Sequence, residues 1–336
     1  MNSMKTRVLV LLAALLTSPV LAQKKEEKPK VHGDFQFGSY PTSRDGMQLM
    51  STEKARIVLV SYAEGWSFDK VAKTFRMSVS DVSKEADRLE EERFAGRQDE
   101  YGDVKPSMPI IRERDWDRVK DGLQRHTQEF TQVLQSHWPE IEAMVTGLEG
   151  SKSLPKERVM YETVASGILL GGMLDAFYED KTLIPPPPRR GKNGNDRFYA
   201  WLVESNPEAA GKLKRELRES DGFRIISIGT QLPEDRLDAD DLKGKATVYD
   251  DADAIKYRRF IGVFTRDKLL PYFKSHRQEF LNQAKLMSSG HYVAAAEVLA
   301  WYYNLMANGV VDNLVAARRI APPEKYYTYA VRIPQQ

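Results

Sequence analysis

Two histidine–glutamate pairs with identical spacing stand out as chemistry-bearing groups: His126 with Glu129 in LQRHTQEF (123–130), and His276 with Glu279 in FKSHRQEF (273–280). Residues three apart share a helix face, and imidazole with carboxylate is a ligand pair that a divalent metal accepts. If both copies face a common axis, the four side chains supply the donor set of a metal-dependent enzyme. The plainer alternative is a local polar pair on each helix, with Phe130 and Phe280 making the core contact. Di-metal helical bundles place Glu before His and add carboxylates from partner helices. Here the order is reversed, and Glu162 and Glu297 do not stand at matching positions.

Other chemistry is excluded by pattern. The five histidines (His32, His126, His137, His276 and His291) form neither His-x-x-x-His nor His-Glu-x-x-His, and no Gly-x-Ser-x-Gly elbow occurs. The stretch GKNGN lacks the spacing of a phosphate-binding loop. No catalytic residue is assigned, and no cofactor is expected outside the alternative metal. A second candidate is the aromatic run AEVLAWYYNLMANGVVD (296–312), in which Trp301, Tyr302, Tyr303 and Met306 form a stripe that could make a ligand- or partner-binding face, although such a stripe at helical spacing is more often core.

The elements that must position these groups are mostly helices. Apolar spacing predicts an amphipathic helix over 115–138, with Trp116, Val119, Leu123, Phe130 and Leu134 inward. A second helix over 155–178 contains VASGILLGGML, apolar all round and therefore central, with Ala165, Gly167, Gly171 and Gly172 small enough for a neighbouring helix to approach closely. IPPPPRRGKNGND (184–196) breaks regular structure and predicts an exposed, protease-sensitive joint. Helical signals return over 197–217, and FRIISIG (223–229), KATVY (245–249) and FIGVF (260–264) are expected as strands. The closing KYYTYAVRIP alternates as an edge strand would, pairing with a wing. GGMLDAFYEDKTLIPPP (171–187) matches NGVVDNLVAARRIAPPE (308–324) in the same order as the two His/Glu segments, which points to a duplicated helical hairpin.

Residues 52–114 carry a further pattern. Val71-Ala72 and Phe75 suit a first short helix, Met77 and Ser78 a turn and helix start, Val82 a recognition helix, and Leu89 with Phe94 the lead into a hairpin. This segment resembles the winged helix-turn-helix superfamily, which implies three helices followed by two short strands. Arg76 stands where the family has a turn glycine, and Ala86 where it has a central leucine. A DNA reader needs attraction to phosphate. Between Ser78 and Arg93 the acidic residues Asp81, Glu85, Asp87, Glu90, Glu91 and Glu92 oppose only Lys84, Arg88 and Arg93, and the wing adds Asp99, Glu100 and Asp103 against Arg97 and Lys105. The resemblance therefore implies a scaffold and not a DNA contact.

The chain has 336 residues, 50 basic and 48 acidic, and no cysteine. Disulfides, thiolate metal sites, cysteine nucleophiles and a lipobox are excluded. The first 22 residues have the three parts of a secretory signal: Lys5 and Arg7, the apolar run Val8–Leu16, and Val20-Leu21-Ala22 as the cleavage end. That apolar run falls short of the roughly 20 residues a membrane span needs. Once the leader is removed, acidic and basic residues balance, so no general pull toward nucleic acid or anionic membrane is expected.

The expected organisation is a signal peptide (1–22), a flexible tail (23–50), a winged helix-like domain (51–114), a helical hairpin module (115–184), a Pro-rich loop (185–196) and a second α+β module with the repeated hairpin (197–336). The fold class is mainly α with small antiparallel β elements. The expected function is that of an exported, periplasmic or extracellular, non-enzymatic interaction protein with a protein or small ligand as partner. A metal-dependent enzyme and a membrane-tethered DNA-binding regulator are the alternatives.

Overall fold

The computed structural model describes residues 35–97, 104–181, 183–204, 207–234, 238, 241–242, 246–291 and 293–334; the leader and the KATVY lysine lie outside them. Regular structure begins earlier than the sequence suggested. Strand β1 (Phe35–Tyr40) and helix α1 (Arg44–Met50) occupy part of the expected flexible tail, and Ser43 caps α1 by accepting from the Gly46 amide at 3.1 Å. Local composition hid β1 because what orders it is a ladder to β7, far along the chain.

Helices α2 (Glu53–Ala63), α3 (Phe68–Phe75) and α4 (Val79–Glu91) follow, then a two-stranded hairpin of β2 (Ala95–Arg97) and β3 (Val104–Pro106). Ser67 and Ser78 cap α3 and α4, accepting from Lys70 N at 3.3 Å and Asp81 N at 3.0 Å. Arg76 closes α3 in the left-handed region, with φ of 55°. Val71, Ala72, Val82, Ala86 and Leu89 are buried, while Asp81, Lys84, Asp87 and Glu91 face water. Asp99, Glu100 and Asp103 lie outside the described residues.

After β4 (Ile110–Ile111) come the long α5 (Glu113–Ser136), α6 (Trp138–Thr146) and α7 (Lys156–Tyr161). Helix α7 runs on into an eleven-residue π-helix (Glu162–Gly172) and then α8 (Met173–Asp180). The π-helix is central, as its all-apolar sequence predicts: residues 162–170 are buried without exception. Three glycines weaken its intrinsic helicity, so the packing around it, and not local propensity, holds the wide coil.

The Pro-rich segment is not a bare loop. It carries β5 (Arg189–Arg190), which pairs with β6 (Asp196–Arg197), and Arg190 is only 1% exposed. Residues 197–217, expected to be helical, hold β7 (Tyr199–Glu204), the short α9 (Pro207–Ala210) and most of β8 (Lys214–Ser220). β9 (Phe223–Gly229) follows as expected, joined to β8 by Asp221-Gly222, both at positive φ (52° and 78°) as a tight hairpin requires. Within KATVY, β10 is Val248–Tyr249.

FIGVF is not a strand; it belongs to α10 (Asp251–Phe264). Tyr257, Ile261 and Phe264 point inward at helical spacing and Val263 is 44% exposed, so five apolar residues satisfied both periods and tertiary packing selected the helical one. A π-turn (Thr265–Leu269) leads into α11 (Leu270–Ser275), α12 (Arg277–Leu286), α13 (Ala295–Ala316) and β11 (Tyr326–Arg332).

The fold is thus mainly helical with small sheets, an α+β arrangement. One sheet has the order β1-β7-β4 and another β10-β11-β9-β8. They are not purely antiparallel: β4 runs parallel to β7, and β10 to β11. β11 is no edge strand and meets no wing, because β9 and β10 flank it. All described residues belong to a single compact unit, Gly33–Gln336. No described helix is long and apolar enough to cross a membrane.

The expected close approach at the glycines is present. A Cβ on Gly172 would stand 2.4 Å from Ile261 Cγ2 and 2.9 Å from Thr265 Cγ2, so α10 packs directly on the π-helix backbone. Gly172→Leu should cost about 1–3 kcal/mol by overpacking. Gly262, which has open space around its Cβ position, is the control: Gly262→Ala should gain roughly 0.5–1 kcal/mol from helix propensity. Urea denaturation of both variants checks the contrast; equal midpoints would contradict the packing account.

Candidate functional site

Two places gather polar groups with chemical potential. The first is built from the two His/Glu segments, which tertiary packing brings together. His126 lies in the middle of α5, whereas His276 sits at the break between α11 and α12. Their rings stand 5.7 Å apart between centroids. Each imidazole faces the other segment's carboxylate, with His126 Nε2 3.8 Å from Glu279 and His276 Nε2 3.9 Å from Glu129.

Hydrogen bonding shows what occupies the centre. Tyr272 donates its hydroxyl to Glu129 at 3.0 Å, which leaves that oxygen to accept from His126 Nδ1–H at 2.9 Å. Arg125 pairs with Glu279 at 2.5 Å. Burial, reinforced by the Arg125 charge, pushes the His126 pKa down against the pull of Glu129 and Glu279, which favours the neutral imidazole. The four residues of the metal alternative are neighbours, and Tyr272 and Arg125 each engage one carboxylate oxygen, of Glu129 and Glu279 respectively. Among the described residues no three His, Asp or Glu side chains are arranged to hold one metal ion. The arrangement does what a satisfied polar network does: it ties α5 to α11 and α12.

The aromatic stripe is buried. Trp301 and Met306 have no exposed surface, and Tyr302 and Tyr303 keep 2% each. Trp301 donates its indole N–H to Ala209 O at 2.8 Å, and Tyr303 its hydroxyl to Leu169 O. These four residues offer no ligand or partner face. They are core, because α13 is covered on all sides by α5, α12, the π-helix and β7.

The second place was not singled out from sequence. A cleft of about 920 Å³ opens between the π-helix and α8 on one side, α10 and its π-turn on another, and strands β8, β9 and β11 on the third. Leu170, Leu174, Ile226, Ile261 and Val331 give it apolar walls. Ser166, on the π-helix, is held from the sheet side by Arg215 Nε at 3.1 Å and by the Tyr329 hydroxyl at 2.9 Å.

Polar groups converge on this volume. Arg197, Arg215, Arg224 and Arg258 line it, against the carboxylates of Asp175 and Glu179. Asp175 is open to the cleft but enclosed by surrounding protein, and that desolvation raises its pKa despite Arg215 and Arg224 nearby. Tyr257 is 5% exposed and lines the cleft beside Tyr329. A signal did exist in the sequence, in the glycines that bare the π-helix backbone, but the arginines arrive from β8, β9 and α10, which no local pattern connects.

No protein-family model matches the chain, and no curated protein or solved structure matches it.

Proposed function

We propose that this chain is a non-enzymatic ligand-binding protein that works outside the cytoplasm, with the cleft at the π-helix as its binding site. One observation carries the reading: a cavity of about 920 Å³ with apolar walls and several guanidinium groups. Small-molecule sites have this construction, a mostly apolar concavity of roughly 300–1,000 Å³ with a few convergent polar groups. π-Helical segments are also frequent at functional sites. The export part of the proposal rests on the leader's three-part sequence.

The unit of α2, α3, α4 and the β2–β3 hairpin serves, in this proposal, as a winged helix-like scaffold. Helix α4 presents Asp81, Asp87 and Glu91 to solvent, and its Arg88 is engaged by Glu85. A face so charged gains no counterion-release energy on a polyanion.

Gly262 lines the cleft with free space at its Cβ position, so Gly262→Trp should fill the cavity without disturbing the backbone. Octan-1-ol, a neutral apolar probe, should shift the NMR methyl signals of Ile226, Ile261 and Val331 in the wild-type protein, and the shifts should vanish in Gly262→Trp. Absence of any shift in the wild type at millimolar octan-1-ol would remove the binding proposal.

A further inference from the structure

We propose that the cleft selects an amphiphilic organic anion: a ligand with one acidic headgroup, held by Arg224 and Arg258 beside Arg215, and an apolar body lying along Leu174, Ile226 and Ile261. The inference rests on the cleft being a ligand site and adds the chemistry of its occupant.

The arginines carry the argument. Arg215 uses Nε to bond Ser166, Arg224 uses Nε to bond Glu219 at 3.0 Å, and Arg258 uses Nε to bond Ala254 O at 3.2 Å. Among the described residues, no hydrogen-bond acceptor meets the terminal Nη groups of any of the three. Each guanidinium is thus anchored at one nitrogen and presents its free edge, the geometry that grips a carboxylate or phosphate. Arg258 is depressed in pKa by desolvation and then by the Arg224 charge, with Asp251 opposing.

Asp175 and Glu179 face the same volume and Glu219 pairs with Arg224 from outside it, so four guanidinium groups meet three carboxylates and the balance stays positive. Burial raises the Asp175 pKa, which weakens its share of that opposition. A bare inorganic anion would leave the apolar walls in water, and a neutral apolar molecule would leave the guanidinium edges without a partner.

Isothermal titration of octanoate, octan-1-ol and inorganic phosphate against the full chain separates the terms. Octanoate should bind roughly tenfold or more tightly than octan-1-ol, the worth of a charge-assisted hydrogen bond. Arg224→Gln and Arg258→Gln should erase that advantage while leaving octan-1-ol affinity unchanged, which also shows that the cleft remains folded. Equal affinity for octanoate and octan-1-ol would overturn the anion preference and leave the ligand site standing. Phosphate binding as tightly as octanoate would overturn the amphiphile. Failure of both C8 probes to bind would remove the site itself.

Discussion

Replacing Arg190 by Met should destabilise the protein by about 3–5 kcal/mol, the cost of breaking a buried ion pair from one side. Arg190 lies within the Pro-rich segment, with 1% of its surface exposed, and its side chain reaches Arg93, Ser107 and Glu297. Its Nη1 donates to Arg93 O at 2.7 Å and to Ser107 Oγ at 3.1 Å, and its Nη2 donates to Ser107 O at 2.6 Å and to Glu297 at 3.0 Å. The guanidinium also lies over the Phe94 ring. Methionine keeps the stem volume but leaves Glu297 buried without its cation and the Ser107 carbonyl without its donor, while Arg93 O keeps the Ser107 hydroxyl. Guanidinium chloride unfolding followed by circular dichroism measures the loss. A double variant, Arg190→Met with Glu297→Leu, should recover a substantial part of it, since neither charge then remains buried. A single-variant loss below about 1 kcal/mol would contradict the role assigned to this contact.

The second large effect is a fall in stability as pH rises from about 5 to 8. Burial pushes the Glu297 carboxyl up to about 7, with Arg190 opposing, and pushes Glu162 up to about 6, with Thr247 and Arg158 opposing. Both folded-state values lie above the ordinary carboxylate range. Between that range and the folded values, the native state binds a proton that the unfolded chain has released. Stability from these groups is therefore fully present at low pH and lost as pH climbs through 6 and 7, by up to about 2–3 kcal/mol for each group. His126 acts in the opposite sense: its depressed pKa makes the native state bind fewer protons, so its contribution is lost as pH falls below the ordinary histidine value. The raised carboxylates Glu297 and Glu162, joined by Asp175 and Glu92, outweigh one imidazole, so the net slope is downward, and above about pH 6.5 only the carboxylate effect remains. Urea midpoints at pH 5.5 and 8.0 check this, and Glu162→Gln should flatten the lower part of the curve. A midpoint that rises with pH would contradict the protonation states assigned here.

The site's legibility follows the same division between local and long-range order. His126, Glu129, His276 and Glu279 were recognisable from spacing, and they do meet, but whether they offer free donors depended on Tyr272 and Arg125, which approach as neighbours in the fold. Trp301 to Met306 were legible as an apolar stripe; which side of α13 faced water was not, because that depends on how many elements surround it. The cleft was legible only in the glycines of the π-helix.

What the sequence by itself determined is what rests on short-range physics. It placed the boundaries of α3 and α4 through Ser67 and Ser78, the inner face of α5 through Val119, Leu123, Phe130 and Leu134, the burial of the segment around Gly167 and Gly172, and the absence of cysteine chemistry. Only the tertiary structure decided that β1 pairs with β7, that FIGVF is helical, that Arg190 is buried and that Arg215, Arg224 and Arg258 border one cavity. The physical reason is that caps, turns and periodicity act over a few residues. Strand pairing, charge burial and cavity formation depend instead on groups distant in sequence, whose meeting is set by the packing of the whole core.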